Sequence, residues 1–305
     1  MKVLVVKREN SCYPFVEEQI ACLESKGIEC KCFLIRGKGW KSYVQSFVQY
    51  RKVIRDWKPD IVHAHYGISG LFANMQRSVP VITTYHGSDI NNSSVRKLSK
   101  LTQRLSAYNL FVSQALADLM PKRNNNLVLP CGVIAPFFEE MNKKDARQKL
   151  GLPMNEKLVL FSSTYRWPVK NPALAQQAMA LVYPAKLIEF DGYTREESAL
   201  LMRAVDVCLM TSFTEGSPQF IKEAMASGCP IVTTPVGDTK WVVGDTEGCY
   251  FCSYDVQDCA KQIKRALTYA EQNDRTNGRQ RILTLQLDNN TIIDKLIAIY
   301  QSIKK

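Results

Sequence analysis

The feature that most constrains how this chain can fold is an alternation. Short runs of apolar, often β-branched residues recur along it, separated by stretches with helical spacing. In the first half the runs fall at residues 2–6, 30–35, 61–65, 79–84, 110–113 and 127–129. Several are apolar throughout, as in Val3-Leu4-Val5-Val6, which is expected of strands whose sheet is covered by helices on both faces. The segment 15–25 reads as a helix that Gly27 stops. Strands alternating with helices in this way build βαβ units and a parallel sheet.

A second alternation follows a polar segment. After Pro130-Cys131-Gly132-Val133 comes Glu139-Glu140-Met141-Asn142-Lys143-Lys144-Asp145, and new runs then fall at 157–162, 186–190, 205–210 and 230–234. The 305 residues suit two domains of about 150 each. The pattern predicts a Rossmann-like N-terminal domain over 1–135 and a Rossmann-like C-terminal domain over 136–285. An amphipathic closing helix is expected over 290–305, where Ile292, Leu296, Ile299 and Ile303 recur at helical spacing. Two such α/β domains with parallel sheets are expected to face a central cleft, a favoured place for a ligand.

Composition matters where it separates the two halves. The net charge is +11, and residues 1–135 hold 19 of the 40 Lys+Arg but only 9 of the 29 Asp+Glu. The remaining residues are nearly balanced. Basic residues are densest at Lys31, Arg36, Lys38, Lys41, Arg51, Lys52, Arg55 and Lys58, with a second cluster at Arg96, Lys97, Lys100 and Arg104. Such an excess points to an anionic partner. No zinc-ligand set, RNP-type aromatic motif or helix-turn-helix signature accompanies it, so nucleic acid is not the expected partner. The start, Met1-Lys2-Val3-Leu4-Val5-Val6-Lys7-Arg8, is too short in apolar residues for a secretory signal, and no run is long enough to span a bilayer. The expected location is cytoplasmic, with any membrane contact peripheral.

Several chemistries lack their residues. Lys7-Arg8-Glu9-Asn10-Ser11 stands after the first strand where a dinucleotide-binding glycine loop would be, and no Walker-type phosphate loop or Gly-x-Ser-x-Gly turn is present. Of ten cysteines only Cys249-x-x-Cys252 has metal-like spacing, and it has no second pair or histidine nearby. No metal or cofactor is expected.

The segment from Thr211 to Pro230 is the informative one. It follows a strand and holds a short helix, with Ser217 suited to the N-cap, Pro218 to the first helical position and Gly228 to the C-terminal cap. A helix beginning just past a strand's C-terminal end is where open α/β sheets bind ligands, and its free N–H groups attract phosphate. Glu215 precedes the helix and Glu223 lies within it.

This segment resembles the signature of the family 4 glycosyltransferases, GT-B-fold enzymes that transfer a sugar from a nucleotide-sugar donor. Glu215 and Glu223 match the family's pair of glutamates separated by seven residues, followed by Glu-Ala-Met-Ala-x-Gly-x-Pro. Arg166-Trp167-Pro168-Val169-Lys170 looks like its Arg/Lys couple, and Thr84-Tyr85-His86-Gly87-Ser88-Asp89 resembles its N-terminal histidine loop. Val62-His63-Ala64-His65 and Pro130-Cys131-Gly132-Val133 match weaker landmarks, all in family order from about residue 60 to 240.

The resemblance implies a role for each residue. His86 and Glu215 are the expected catalytic pair at the donor sugar. Arg166, Lys170, Gly216, Ser217, Pro218, Gln219 and Glu223 are expected to bind the donor, the two cations neutralising its diphosphate without a metal and Glu223 receiving the ribose hydroxyls. Asn10, Ser11, His65 and Asp89 are expected on the acceptor side; for His63 and His65 structural packing is an equal alternative, and Asp89 either fixes the histidine loop or meets acceptor. The implied reaction retains anomeric configuration and extends a glycan or lipid-linked acceptor in cell-surface polysaccharide or lipopolysaccharide synthesis. The basic N-terminal domain then suits an anionic membrane surface, with Arg51, Lys52 and Arg55 beside Lys41 and Tyr43 or Trp40 as docking face. Two departures from the family pattern are the glycine-free first loop and a short stretch between Ser163 and Asp206, from which a portion that often carries base contacts is trimmed. The alternative is a catalytically weak GT-B scaffold that binds sugar nucleotide or a partner enzyme.

Overall fold

The computed structural model describes residues 1–9, 14–37 and 40–303, without the side chains of residues 40 and 41. The apolar runs become strands β1 (Lys2–Arg8), β2 (Glu29–Ile35), β3 (Ile61–His65), β4 (Val81–Tyr85), β5 (Tyr108–Phe111) and β6 (Asn126–Val128), then β7 (Leu158–Phe161), β8 (Lys186–Ile188), β9 (Val207–Met210), β10 (Ile231–Thr233) and β11 (Cys249–Phe251). They form two wholly parallel sheets, in the orders β2-β1-β3-β4-β5-β6 and β11-β10-β9-β7-β8.

Strand edges shift from the sequence expectation for local reasons. The run from 79 loses its first two residues because Pro80 has no N–H to give the ladder, although its carbonyl still accepts from Val62 N. In the run from 205, Val205 instead ends the helix Arg195–Ala204. β11 was not expected: it is three half-buried residues behind Gly248, too short to show a period.

The chain divides into two compact units, Met1–Gly132 with Asn289–Lys305, and Val133–Asp288. The closing helix, Asn289–Ile303, therefore belongs to the first unit. Ile292, Ile293, Leu296, Ile299 and Tyr300 are its buried face, each aliphatic side chain worth about 1.5–3 kcal/mol against exposure. Lys26 Nζ, in the turn just after the helix Pro14–Ser25, also reaches Asp294 at 2.6 Å. Lys295, Lys304 and Lys305 against Asp294 add to that unit's positive excess.

The cores follow the pattern of apolar runs. In the first unit Leu4, Val6, Phe33, Tyr50, Val62 and Phe72 pack on one side of the sheet, and Tyr85, Ile90, Phe111 and Leu116 form a second cluster. In the second unit Val159, Phe161, Leu209 and Val232 pack against Leu174, Ile263 and Leu267 of the covering helices. Among the described residues no helix is long and apolar enough to cross a membrane.

In each sheet one pair of neighbouring strands is where the chain changes direction of travel. β1 leads outward to β2 and the chain then returns to β3; β7 leads outward to β8 and returns to β9. Such switch points open a crevice beyond the C-terminal ends of the strands. The segments that follow β4, β7 and β9 hold most of the residues singled out by the sequence.

Candidate functional site

In the second unit, the loops after β7 and β9 are laced together by hydrogen bonds. Thr211 Oγ1 donates to the carbonyls of Lys170 (3.0 Å) and Asn171 (2.8 Å), and Phe213 N donates to Val169 O (2.9 Å). This brings Lys170 Nζ to 2.6 Å from Glu215 Oε1, with the two side chains 28% and 15% exposed. Arg166 goes elsewhere: it is 76% exposed and donates to Asp191 Oδ2 at 2.6 Å. The expected cation couple is thus one lysine inside the loop cluster and one arginine at its rim.

The helix begins one residue later than its sequence suggested. It spans Gln219–Ala226, with Pro218 as N-cap and no side-chain cap bond, so Ser217 does not cap it. Gly228 takes φ +67° just past the C-cap Ser227, the left-handed conformation that suits glycine. Gly216 is fixed from behind, since a Cβ on Gly237 (φ +59°) would lie 2.8 Å from its carbonyl oxygen.

Freed from capping, the Ser217 hydroxyl joins a group of unsatisfied polar atoms. Ser162 Oγ after β7 and Ser212 Oγ after β9 are buried without a hydrogen-bond partner among the described residues, and Ser217 Oγ after β9 and the Asp238 carboxylate after β10 are buried with no well-aligned hydrogen bond beyond their approach to each other. Burial pushes the Asp238 carboxyl up, and the nearby Lys222 ammonium and Ser217 hydroxyl pull it part of the way back. Buried polar atoms normally find partners. These four residues follow three adjacent strands at their C-terminal ends and together form a polar cradle.

Glu223 is almost fully buried, at 3% side-chain exposure, and is ion-paired with Arg195. The Arg195 guanidinium also lies over the Phe137 ring, 4.8 Å from its centroid. Sequence reasoning missed Arg195. The signal was present in Thr194-Arg195-Glu196-Glu197, a capping box that starts a helix and puts Arg195 at its first position.

In the first unit, Asp89 fixes the histidine loop. Its Oδ1 accepts from His86 N (3.1 Å) and Gly87 N (2.9 Å), and its Oδ2 from Gly67 N (2.9 Å). At 3% exposure it serves the backbone of two strand-end loops. His86 is half-buried between rings, with Phe15 at 4.8 Å and Tyr66 at 4.6 Å between centroids. Tyr66 adopts φ 73°, ψ 146°, a region close to glycine's own, and such strain clusters at functional sites. His65 is fully buried beneath, its Nδ1 3.0 Å from His86 Nε2. The expected acceptor contacts Asn10 and Ser11 lie outside the described residues.

A groove of about 790 Å³ runs beside the helix Trp40–Trp57, lined by Val48, Arg51, Lys52, Ile54, Arg55 and Lys58 among others. Val44 and Val48 on that helix are 54% and 65% exposed. Tyr43 instead packs into the core near Phe72, so it leaves the expected docking face. Trp40 and Lys41 have no described side chains. Among the described residues no cluster of three or more His, Cys, Asp or Glu is placed to hold a metal.

Two parallel-sheet α/β units, each with a switch point in its strand order, define a GT-B fold. The solved sucrose-phosphate synthase of Thermosynechococcus elongatus shares that fold, at a TM-score of 0.84 over 99% of each chain with 16% identity. Residues 13–117 match the family Glycosyl transferase 4-like, and residues 156–269 match Glycosyl transferases group 1. The chain belongs to the family 4 glycosyltransferases. It is 25% identical over 244 residues to a Bacillus subtilis protein named for teichuronic acid biosynthesis as a glycosyltransferase, covering 69% of this chain and 62% of that protein. It is also 25% identical over 252 residues to an Escherichia coli UDP-Gal:α-D-GlcNAc-diphosphoundecaprenol α-1,3-galactosyltransferase, covering 66% and 64%. The matched region thus spans under two thirds of either relative's length.

Proposed function

We propose that the protein is a retaining, metal-independent glycosyltransferase that moves a sugar from a nucleotide-sugar donor to a glycan or lipid-linked acceptor in cell-surface polysaccharide synthesis. The observation that carries this reading is the polar cradle of Ser162, Ser212, Ser217 and Asp238 beside the Lys170–Glu215 pair. Hydroxyls and a lysine at the C-terminal ends of parallel strands are the groups a diphosphate needs. In the reaction the anomeric carbon–phosphate oxygen bond breaks as the acceptor hydroxyl bonds to that carbon on the same face, and its proton passes to the leaving phosphate. Lys170 steadies the charge that develops on the diphosphate.

The name of the Escherichia coli relative favours a uridine donor and a diphosphate-linked lipid acceptor as the first to try. In a panel of UDP, GDP, ADP and CMP, one nucleotide is expected to raise thermal stability, by about 2.7 kcal/mol at a hundred times its Kd. Its sugar conjugate is then expected to be turned over in the presence of EDTA. Binding without transfer to any acceptor leaves the scaffold reading standing, and no stabilisation by any of the four removes the donor site.

We also propose that the basic groove docks on an anionic membrane surface. Clustered Lys and Arg contribute about 1 kcal/mol each at such a surface, roughly fivefold in affinity per residue. Reversing Arg51, Lys52 and Arg55 to Glu together is expected to weaken binding to phosphatidylglycerol vesicles at least about 100-fold, while hydrolysis of the donor in solution is unchanged. Equal vesicle binding by the triple variant and the parent eliminates this docking face.

A further inference from the structure

All three histidines of the chain converge in the first unit. Tyr300, on the closing helix, places its hydroxyl 2.6 Å from His63 Nδ1, and His63 Nε2 lies 2.7 Å from Thr84 Oγ1. The His63 ring stacks on His65 at 4.6 Å between centroids, with 23° between planes. His65 and His86 lie edge to edge, 5.2 Å between centroids with 25° between planes, and share the 3.0 Å contact from Nδ1 to Nε2. Gln19, on the helix Pro14–Ser25, touches two of the three: its amide nitrogen is 3.3 Å from His63 Nδ1 and 3.5 Å from His65 Nε2.

We propose that Gln19, seconded by Tyr300, fixes one tautomer along this line, so that His86 accepts from His65 at Nε2 and carries its own proton on Nδ1. The proposal rests on the reading of His86 as a donor-side group and makes Gln19 and Tyr300 positioning residues for it. A neutral imidazole has one donor and one acceptor nitrogen, so fixing one end of a bonded pair fixes the other. The Gln19 amide N–H group can only donate. It therefore makes His65 Nε2 an acceptor, His65 Nδ1 a donor, and His86 Nε2 an acceptor. The same amide and the Tyr300 hydroxyl make His63 Nδ1 an acceptor, leaving His63 Nε2–H to donate to Thr84. One orientation of one amide satisfies every contact.

Burial keeps His63 and His65 neutral, as this logic requires. Burial pushes His63 down to about 3. His65 is held well below its ordinary value by burial first, then by the neighbouring histidines and the Lys7 ammonium, which Glu17 pairs. The arrangement also gives the closing helix a task at the site: Tyr300, far along the chain, holds the foot of a line whose top is His86.

The experiment is nitrogen NMR of the full chain labelled with 15N-histidine, with Gln19→Glu as the reversing variant. In the parent, His86 and His65 are expected to show a protonated Nδ1 and a bare Nε2, and His63 the opposite. The substituted side chain has the same shape but ends in a carboxylate that only accepts, so His65 and His86 should both exchange to the Nε2–H form. The kcat for sugar transfer should then fall about tenfold or more, because His86 would turn a bare Nδ1 instead of its N–H toward the donor sugar, with donor KM within about threefold. A parent spectrum with His86 protonated at Nε2 overturns the proposal, even if the variant fails to fold. Unchanged His86 signals in a folded Gln19→Glu protein overturn it as well, and exchanged tautomers with unaltered kcat overturn its consequence for turnover. Full activity of His86→Ala strikes instead at the reading of the site, and leaves the tautomer assignment to the spectrum alone.

Discussion

A Lys170→Ala protein is expected to lose about 10²–10³-fold in kcat/KM for the nucleotide-sugar donor, equivalent to about 2.7–4 kcal/mol of transition-state stabilisation. The Lys170 side chain is 28% exposed and its Nζ lies 2.6 Å from Glu215, in a loop cluster where the Ser162 and Ser212 hydroxyls have no hydrogen-bond partner among the described residues. A charge placed in such a partly dry, pre-formed setting interacts far more strongly with a developing anion than one in water. Arg166 is the contrast: 76% exposed and paired with Asp191, it is screened on most sides. Arg166→Ala is therefore expected to cost about tenfold or less. The Lys170–Glu215 pair is partly solvated, and its loss should change stability by about 1 kcal/mol or less. Initial rates over a range of donor concentrations, read from released nucleoside diphosphate, check both variants. A Lys170→Ala kcat/KM within threefold of the parent ends the assignment of Lys170 to the diphosphate.

The contrast between Lys170 and Arg166 marks where reading from sequence runs out. Their spacing and their place after a strand are local facts, so the loop that holds them was legible. Which of them turns inward depends on Thr211, forty residues on, whose hydroxyl binds the carbonyls of Lys170 and Asn171. The same limit explains Glu223. Its helix and position were legible, but its burial and its pairing with Arg195 come from the packing of a helix that starts 28 residues earlier. The strands were legible because a parallel sheet buried on both faces needs continuous apolar runs, and β11 escaped because three residues carry no period. His65 was expected with equal weight as a cleft residue and as packing. Its burial under His86 follows from the register of β3 against β4, which pairs His65 with Thr84, and no spacing within one segment reports that.

The largest effect on stability is expected from Asp206→Ala, a loss of about 3–5 kcal/mol. Asp206 is at the base of the second sheet, immediately before β9, and one carboxylate joins three groups. Its Oδ2 accepts from Arg147 Nη2 at 2.9 Å and Leu158 N at 2.7 Å, and its Oδ1 accepts from Lys143 Nζ at 2.9 Å. Arg147 is only 4% exposed and also donates to the carbonyls of Ala204, Pro153, Met154 and Glu156. Those carbonyls satisfy its N–H groups but do not cancel its charge, which Asp206 alone does at bonding distance among the described carboxylates. Removing the carboxylate strands a buried guanidinium and breaks the bond that sets β7 beside the start of β9. Lys143→Ala, which removes a more exposed cation from the same carboxylate, should cost about 1 kcal/mol or less. Urea unfolding of the two variants measures the difference, and the deficit should appear in the transition of the unit that contains Arg147. Because the site lies at the opposite, C-terminal ends of these strands, Asp206→Ala protein kept well below its midpoint should bind nucleoside diphosphate as the parent does. An Asp206→Ala cost of about 1 kcal/mol or less would mean that the four carbonyls hold the Arg147 charge unaided, and the network would be packing rather than a keystone of the sheet.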